Sequence, residues 1–362
     1  TNLRALNTAL GGLMPLVLYD ILRQRNPNAS VQSLALNALV IASLPTCFFF
    51  HFLYYTDTAA TLAMLLVVAL SQRGFHTLSV IPAIAAILMR QTNAVWVAFV
   101  LLVNAFKFEQ GATQHETLLD ELMRGASSLL GGWRKVLRHF TPLALVVAAF
   151  GAFVVVNKGV VVGDRENHQP ALHFAQLLYF SAFAAVLGNV RRCAIFVFRA
   201  PFAVARLVRE FRVLTLFFLM TAVVFAIHNG TLCHPFLLAD NRHYTFYIWK
   251  DLLSKPWIRF GSAPGYMLCI GHLNAELGER PLLWRGSFLL CAAAVLVLSP
   301  LIEFRYYTVA HMILRLHSPL LRLPREWVPQ LLLNIVINGV TIGMFLLRPW
   351  TWPDGSVARF MW

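Results

Sequence analysis

Long apolar runs constrain this chain more than any other feature of its sequence. They extend for roughly 17–25 residues, enough for a helix to cross a hydrocarbon core about 30 Å thick. The runs fall near residues 5–22, 33–53, 57–71, 77–89, 93–107, 140–162, 171–189, 213–228, 286–302 and 328–347, with weaker ones at 244–258 and 306–317. They lack the period-two alternation of transmembrane strands. The sequence therefore predicts an all-α, polytopic transmembrane helical bundle of about ten to twelve spans.

Composition supports a membrane protein, and the distribution of charge predicts its orientation. Hydrophobic residues make up 58% of the 362 residues, more than a soluble domain normally carries. Lys and Arg collect in loops after alternate runs, for example at Arg25, at Arg73 and within 191–212. The positive-inside rule assigns such loops to the cytoplasm. The stretch 108–138, which holds four glycines amid polar residues, is predicted to be an irregular cytoplasmic connector.

The net charge of +14 does not indicate a nucleic-acid partner. The positive residues are divided among loops between spans, whereas a nucleic-acid site gathers them on one soluble face. The five cysteines show neither the spacing of a zinc site nor that of a disulfide framework. Short motifs typical of hydrolases, zinc proteases and nucleotide-binding proteins are also missing from the sequence.

Five loops on the side opposite the basic loops share a different chemistry. They read HFLYYTD, MRQTN, KGVVVGDRENHQP, HNGTLCHPFLLADNRHY and EFRYY. Charged groups near a bilayer are costly unless they are paired or hydrated, so this concentration of Asp, Glu, Arg and His marks a candidate site. For any single residue the alternative is an ordinary solvated loop end.

These residue types suit group transfer from a phosphate. Arg binds phosphate oxygens with two parallel hydrogen bonds, and His can donate or shuttle a proton. A carboxylate can act as general base toward a hydroxyl, and the candidates are Asp57, Asp164, Asp240 and Glu303. Nearby Tyr and Trp could stack on sugar rings, although aromatic belts at membrane interfaces are the commoner explanation. No ligand spacing demands a metal.

Residues 232–249, LCHPFLLADNRHYTFYIW, resemble the dolichyl-phosphate-glucose-dependent α-1,2-glucosyltransferase family. This family adds the third, terminal glucose to the lipid-linked oligosaccharide. The resemblance extends over essentially the whole chain through LRALNTAL, MRQTNAVWV, VVGDRENHQPALHFAQLLYF and EFRYYTVAHMILRLH. It implies a GT-C type fold in the endoplasmic-reticulum membrane, with the active site facing the lumen.

The resemblance also implies the substrates. Dolichyl phosphate glucose is the expected donor and the dolichyl-diphosphate-linked oligosaccharide the expected acceptor, in a lipid bilayer and without a cofactor or metal. Family members carry a first span and an acidic first lumenal loop ahead of the position where this chain begins, and the base usually lies in that loop. We therefore expect one integral membrane domain, residues 1–362, that lacks both segments.

Matching motif to motif gives the expected site residues. Catalytic roles are implied for Asp164, His168, Asp240, His243 and Glu303. Substrate binding is implied for Arg90, Gln91, Asn93, Arg165, His173, Asn241, Arg242, Tyr244, Arg305 and Tyr306. Arg242 and Arg305 are expected to bind the phosphate, and His168 or His243 to stabilise the leaving group.

Three alternatives remain open at this point. The first is another glycosyltransferase of the same architecture that uses a different polyprenyl-phosphate sugar, such as a mannosyltransferase. The second is a membrane transporter, although transporter sites usually form at the bilayer midplane and these charges lie in loops. The third is a noncatalytic fragment with a structural role.

Overall fold

The structure is a computed structural model that describes residues 2–106, 117–160, 169–209 and 213–362. Within these ranges the chain is predominantly helical. The α-helices are α1 (Asn2–Arg25), α2 (Val31–Ala42), α3 (Pro45–Phe48), α4 (Asp57–Gln72), α5 (Val80–Met89), α6 (Asn93–Ala105), α7 (Leu118–Gly131), α8 (Trp133–Val156), α9 (Ala175–Gly188), α10 (Val190–Arg209), α11 (Val213–Gly230), α12 (Pro235–Ala239), α13 (Tyr244–Ile248), α14 (Pro256–Gly261), α15 (Ala263–Glu276), α16 (Leu282–Leu296), α17 (Thr308–His317) and α18 (Pro324–Leu347). Short 3-10 helical turns follow α3 (Phe49–Phe52) and precede α17 (Phe304–Tyr307). A π-helical turn follows α13 (Trp249–Leu253). Two short strands, β1 (Trp350–Thr351) and β2 (Val357–Ala358), pair antiparallel.

The described helices include several that can cross a membrane. Four are long and apolar enough on their own, namely Arg4–Arg25, Val136–Val156, Val213–Gly230 and Pro324–Leu347. Two bent pairs raise the number to six if each pair is one span, namely Val31–Ala42 with Pro45–Phe52 and Ala175–Gly188 with Val190–Phe202. The helices α4, α5, α6 and α16 are apolar but shorter. The all-α, multi-pass prediction is therefore confirmed, and the figure of about ten to twelve spans stays a prediction.

The strong apolar runs of the sequence become helices, but the weak run at 244–258 does not become a single one. The chain there forms α13, then a turn of π-helix at Trp249–Leu253, then α14. Pro256 cannot donate a backbone hydrogen bond and therefore begins a new helix, a position in which proline is well tolerated. Such π-turns are frequent at functional sites.

The prediction of an irregular connector at 108–138 is wrong for residues 133–138, which begin α8, and for residues 118–131. Residues 118–131 form α7, whose N-terminus is closed by a capping box in which Thr117 and Asp120 bond each other's backbone N–H groups. Glu121 of this helix is buried and accepts hydrogen bonds from the backbone of Leu282 (2.8 Å) and Leu283 (2.7 Å). A carboxylate thereby satisfies the free N–H groups at the start of α16.

The bundle has two chemically different ends, joined by α17. Nine of the ten residues of this helix are buried. We call the end where α4 and α17 begin the site end, and the end where they finish the basic end. At the basic end Arg192 pairs with Glu326 (3.0 Å) and Glu276 (3.3 Å), which ties α10 to α15 and α18.

Helix α1 fixes the loop that leads into α4 at the site end. Asn7 is buried, and its side-chain amide donates to the carbonyl oxygens of Leu53 and Tyr55, each at 2.7 Å. Gly11 allows the His51 ring to lie against α1, since a Cβ at this position would stand 2.4 Å from the ring. The loop is therefore held at both its beginning and its end.

Candidate active site

A buried carboxylate, Asp57, is the centre of the first group of polar residues. It is the first residue of α4, where the positive end of the helix dipole favours a negative charge. Helices α4 and α5 are neighbours along the chain, so Arg90, just after α5, reaches it with Nη2 2.6 Å from Oδ1. Arg305 approaches the other carboxylate oxygen, with Nη1 3.9 Å from Oδ2. Two cations from different loops thus converge on one carboxylate.

The turn before α17 supplies the second acidic residue. Glu303 accepts a hydrogen bond from Nε of Arg305 through Oε2. Burial acts to lower the pKa of Arg305, but Glu303 and Asp57 outweigh this and raise it above its ordinary value. Burial, and then the charge of Glu303, raise the pKa of the Tyr306 hydroxyl to about 12. Arg305 is therefore a permanent cation, and Tyr306 keeps its proton as a hydrogen-bond donor.

Aromatic rings stack on both guanidinium groups. The Arg90 guanidinium lies 5.7 Å from the centre of the Tyr306 ring, and that of Arg305 lies 5.9 Å from the same ring. Arg305 also lies 5.7 Å from the Tyr55 ring. Contacts of this kind hold the flat guanidinium in place while its N–H groups stay free in the plane. We call these residues the Asp57 cluster, which comprises Tyr55, Asp57, Arg90, Glu303, Arg305 and Tyr306.

The Asp57 cluster has unused hydrogen-bonding capacity. Oδ2 of Asp57 and Nε of Arg90 are buried and have no hydrogen-bond partner among the described residues. Buried polar atoms are normally paired, and those that are not occur frequently at functional sites. The cluster therefore has both a donor and an acceptor available for a further group.

The second group of polar residues lies between α12 and α13. Oδ1 of Asp240 accepts from the backbone N–H of Arg242 at 2.9 Å, which forms an Asx turn. The Arg242 side chain then binds the same carboxylate with Nε 2.7 Å from Oδ1 and Nη2 on Oδ2. Nε2 of His243 lies 3.5 Å from Oδ2. We call these three residues the Asp240 cluster.

The Asp240 carboxylate is held in its charged form. Burial acts to raise the pKa of Asp240, but the side-chain and backbone hydrogen bonds from Arg242 outweigh it and lower the pKa below its ordinary value. The Arg242 guanidinium also lies 5.0 Å from the ring of Trp352, in the loop after α18. A carboxylate whose lone pairs are occupied in this way orients an arginine and is a weak base.

One cavity of about 300 Å³ joins the two clusters. We call it the polar pocket, and its lining residues are Phe236, Leu237, Ala239, Asp240, His243, Thr245, Leu301, Ile302, Glu303 and Trp362. Two of the four predicted acidic residues, Asp240 and Glu303, therefore line the same space. Its volume lies at the lower end of the range for small-molecule sites.

An apolar groove of about 380 Å³ adjoins the polar pocket. Ile302 and Trp362 line both cavities. The groove runs between α9, the π-turn region and α15, and aliphatic or aromatic side chains such as Phe183 and Leu252 form most of its wall. Among its described lining residues, Arg259 is charged, and Ser262, Tyr179 and Tyr266 carry hydroxyl groups. A polar space thus opens next to an apolar one.

The structure brings most of the described candidate residues to this site. Asp240, His243 and Glu303 line the polar pocket, and Arg242 and Arg305 contact those carboxylates directly. The other described candidates at this end of the bundle are Arg90 and Tyr306 in the Asp57 cluster, Tyr244 and Asn241. Tyr244 bonds Thr341 of α18 through its hydroxyl at 2.9 Å, whereas Asn241 is exposed.

Of the three remaining described candidates, two have local structural partners. Asn93 is buried and donates to the carbonyl of Ala86 at 3.0 Å, which joins α6 to α5. Both ring nitrogens of the buried His173 contact backbone, Nδ1 at 3.2 Å from the Pro300 oxygen and Nε2 at 3.4 Å from the Leu232 nitrogen. Burial lowers the pKa of His173 to about 4, against the opposing effect of its backbone bonds. Gln91 makes no side-chain hydrogen bond to the described residues. Asp164, Arg165 and His168 lie outside the described residues.

The family resemblance assigned no role to two residues that the structure places at the site, Asp57 and Trp362. Asp57 was a candidate base only, and its position between two arginines follows from the meeting of three loops, which no local pattern reports. The HFLYYTD loop nevertheless carried the signal, because it places an acidic residue beside two tyrosines at a membrane boundary. No motif in the sequence pointed to Trp362 as a site residue.

Comparison with known proteins agrees with the resemblance noted in the sequence. The chain matches the DIE2/ALG10 family over residues 1–316. It is similar to three proteins named Dol-P-Glc:Glc(2)Man(9)GlcNAc(2)-PP-Dol alpha-1,2-glucosyltransferase. That of Drosophila melanogaster is 33% identical over 100% of this chain and 83% of its own length. That of Mus musculus is 32% identical over 96% and 76%, and that of Arabidopsis thaliana is 30% identical over 99% and 82%.

No solved structure matches the chain. The family match covers more than half of the 362 residues, and the similarity to the relatives extends through the segments that form both clusters and the polar pocket. The chain belongs to the DIE2/ALG10 family.

Proposed function

We propose that this protein is an α-1,2-glucosyltransferase that uses dolichyl phosphate glucose as donor. It transfers the glucose to the terminal glucose of the diglucosylated, dolichyl-diphosphate-linked oligosaccharide. The product carries the final α-1,2-linked glucose that precedes transfer of the glycan to protein. The names of the relatives state this donor and this linkage.

The adjacency of the polar pocket and the apolar groove carries this proposal. The donor has a charged sugar phosphate joined to a long polyprenyl chain, so its site must be polar at one end and apolar at the other. The polar pocket holds two carboxylates, and the groove beside it is lined mainly by apolar side chains. Because Ile302 and Trp362 belong to both, one molecule can occupy them together.

The reaction is an inverting displacement at the anomeric carbon of the donor glucose. The acceptor hydroxyl attacks C1 from the face opposite the phosphate, the C1–O bond to the phosphate breaks, and the hydroxyl proton passes to a carboxylate base. Negative charge grows on the departing dolichyl phosphate. Arg242 and Arg305 stand beside the polar pocket as fixed cations and stabilise that charge.

Asp240 and Glu303 act as organisers of these arginines rather than as the base. Each already accepts a hydrogen bond from a guanidinium, Asp240 from Arg242 and Glu303 from Arg305. Such bonds favour the charged form and reduce basicity. The two carboxylates instead hold the cations in orientation and bind sugar hydroxyls with their remaining lone pairs. His243, beside Asp240, stabilises the leaving phosphate.

Lipid-linked oligosaccharide profiles test the proposal. The protein is expressed in cells that lack their own enzyme of this family, and the oligosaccharides are released and weighed by mass spectrometry. We expect the two-glucose species to be converted to the three-glucose species. Persistence of the two-glucose species beside stable, membrane-inserted protein would reject the glucosyltransferase assignment, and a product that depends on dolichyl phosphate mannose would support the mannosyltransferase alternative.

The proposal includes a location, in which residues 1–362 form one membrane domain of the endoplasmic reticulum with the site end in the lumen. The positive-inside rule supports this, since Arg25 and Arg192 lie at the opposite end. Cys233 is exposed at the site end, so a membrane-impermeant maleimide should label it in sealed microsomes only after permeabilisation. Asn28→Cys, exposed at the basic end, should be labelled before permeabilisation.

The Cys233→Ser variant identifies the labelled residue in this experiment. Burial raises the pKa of the Cys233 thiol, so the labelling is run at mildly alkaline pH, where more thiolate is present. Labelling of Cys233 before permeabilisation, together with protection of Asn28→Cys, would reverse the proposed orientation.

A further inference from the structure

The segment that follows β2 returns to the site and binds the Asp240 cluster. The backbone N–H of Met361 donates to the carbonyl of Arg242 at 2.9 Å, and Met361 forms a parallel bridge with His243. Arg359 anchors the segment further back through a 2.7 Å bond to the Phe345 carbonyl at the end of α18. We call residues 359–362 the tail.

The tail orients the His243 ring and selects its tautomer. Nδ1 of this ring lies 2.9 Å from the carbonyl oxygen of Trp362. A carbonyl can only accept, so Nδ1 carries a hydrogen, and Nε2 is the nitrogen left on the side of Asp240. The tail therefore determines which ring nitrogen takes part in chemistry at the polar pocket.

The Trp362 ring stands where the two cavities meet. It packs against Tyr244, with ring centres 4.8 Å apart, and against Phe304 at 5.8 Å. It lines the polar pocket on one side and the apolar groove on the other. Its indole N–H is buried and has no hydrogen-bond partner among the described residues. A buried donor of this kind is destabilising unless a ligand oxygen accepts its hydrogen bond.

We propose that Trp362 is a specificity-determining residue that separates the donor's sugar phosphate from its polyprenyl chain. The ring directs the chain into the apolar groove, and the indole N–H binds an oxygen of the head group. This role rests on the proposed function, since it assumes a donor with a polar head and an apolar tail. It extends that function by assigning the recognition of the chain to one residue of the tail.

The test compares two donors, dolichyl phosphate glucose and a short-chain prenyl phosphate glucose, in purified wild-type protein and in Trp362→Phe and Trp362→Ala. We expect the preference of wild-type protein for the long-chain donor, expressed as a ratio of kcat/KM values, to fall about tenfold in Trp362→Ala. The fall should appear mainly in KM for the long-chain donor. Trp362→Phe should show a smaller fall in the same direction, because it keeps the wall but loses the N–H.

Trp350→Phe is the matched control. Trp350 lies in β1, half-exposed, and does not line either cavity. This variant should keep the wild-type donor preference. An equal loss with both donors in the Trp362 variants would make Trp362 a packing residue and overturn the proposal, as would an unchanged ratio.

The experiment separates this inference from the proposed function. If wild-type protein transfers glucose but the Trp362 variants keep the wild-type donor preference, only the proposed role of Trp362 is wrong. If stable wild-type protein transfers glucose from neither donor, the proposed function fails. Trp362→Phe is expected to fold even if Trp362→Ala does not, because it preserves the aromatic contacts with Tyr244 and Phe304.

Discussion

Replacing Arg305 by alanine is expected to reduce kcat/KM for glucosyl transfer by about 1000-fold, the scale of effect that a phosphate-directed arginine has in other phosphate chemistry. Its guanidinium bonds Glu303 and lies 3.9 Å from Asp57. Removing it deletes a fixed cation for the leaving phosphate, leaves Glu303 without its arginine, and leaves Asp57 paired with Arg90 alone. The measurement is glucosyl transfer in microsomes with matched protein levels.

The same substitution should also lower stability. Breaking a largely buried ion pair by removing one partner costs about 3 kcal/mol, so the unfolding temperature of the purified protein should fall. Arg305→Lys separates the two effects, because it keeps the charge but not the planar fork. We expect this variant to recover most of the stability while kcat/KM stays about 100-fold below wild type.

An ion pair at the basic end provides the control for Arg305. Arg73 pairs with Asp20, and their side chains are 49% and 30% exposed, respectively. Arg73→Ala removes a guanidinium of the same kind, and exposed ion pairs contribute little to stability. Its activity and unfolding temperature should stay close to wild type. Wild-type activity in both Arg305 variants would show that this guanidinium does not act on the donor and that Arg305 is not a site residue.

The sequence predicted the class of fold, and it also singled out the loops whose polar residues meet at the candidate site. Apolar runs of membrane-spanning length gave the helices, because in a bilayer each helix must satisfy its own backbone groups. The motifs DNRHY and EFRYY gave Asp240, Arg242, Glu303 and Arg305, since charged residues beside membrane segments are seldom placed without a partner. These predictions depend on local composition.

What the sequence did not predict depends on distant contacts. Asp57 and Arg305 are far apart in the chain and meet only because α4 and α17 begin at the same end of the bundle. The approach of Trp362 to His243 has the same origin, since it requires the chain after α18 to turn back. Helix α7 was not predicted, because the glycines in this stretch are typical of a loop, despite its amphipathic pattern. In the structure Gly125 lies within the helix and packs closely against Phe106. Tertiary packing overrode a local propensity there.

Asp240→Asn is expected to lower kcat/KM by about 100-fold. The unfolding temperature should fall less than in Arg305→Ala, because the turn around this residue is kept. The amide oxygen of asparagine can still accept from the backbone N–H of Arg242, so the Asx turn survives. The negative charge that holds the Arg242 guanidinium is lost, and with it the bidentate pair. Arg242→Lys should show a loss of similar size, because lysine cannot replace a bidentate contact.

The pH dependence of these variants distinguishes an organiser from a base. The pKa of Asp240 lies below its ordinary value, so its interaction with Arg242 is present above that pKa and is lost only as the pH falls through it. Between about pH 5 and pH 8 the carboxylate stays charged, and the activity profiles of wild type and Asp240→Asn should have the same shape. A general base would behave differently, since its titration would produce the acid limb of the wild-type profile. If that limb disappears in Asp240→Asn, the proton of the acceptor hydroxyl goes to Asp240, and the assignment of this residue as an organiser of Arg242 is wrong.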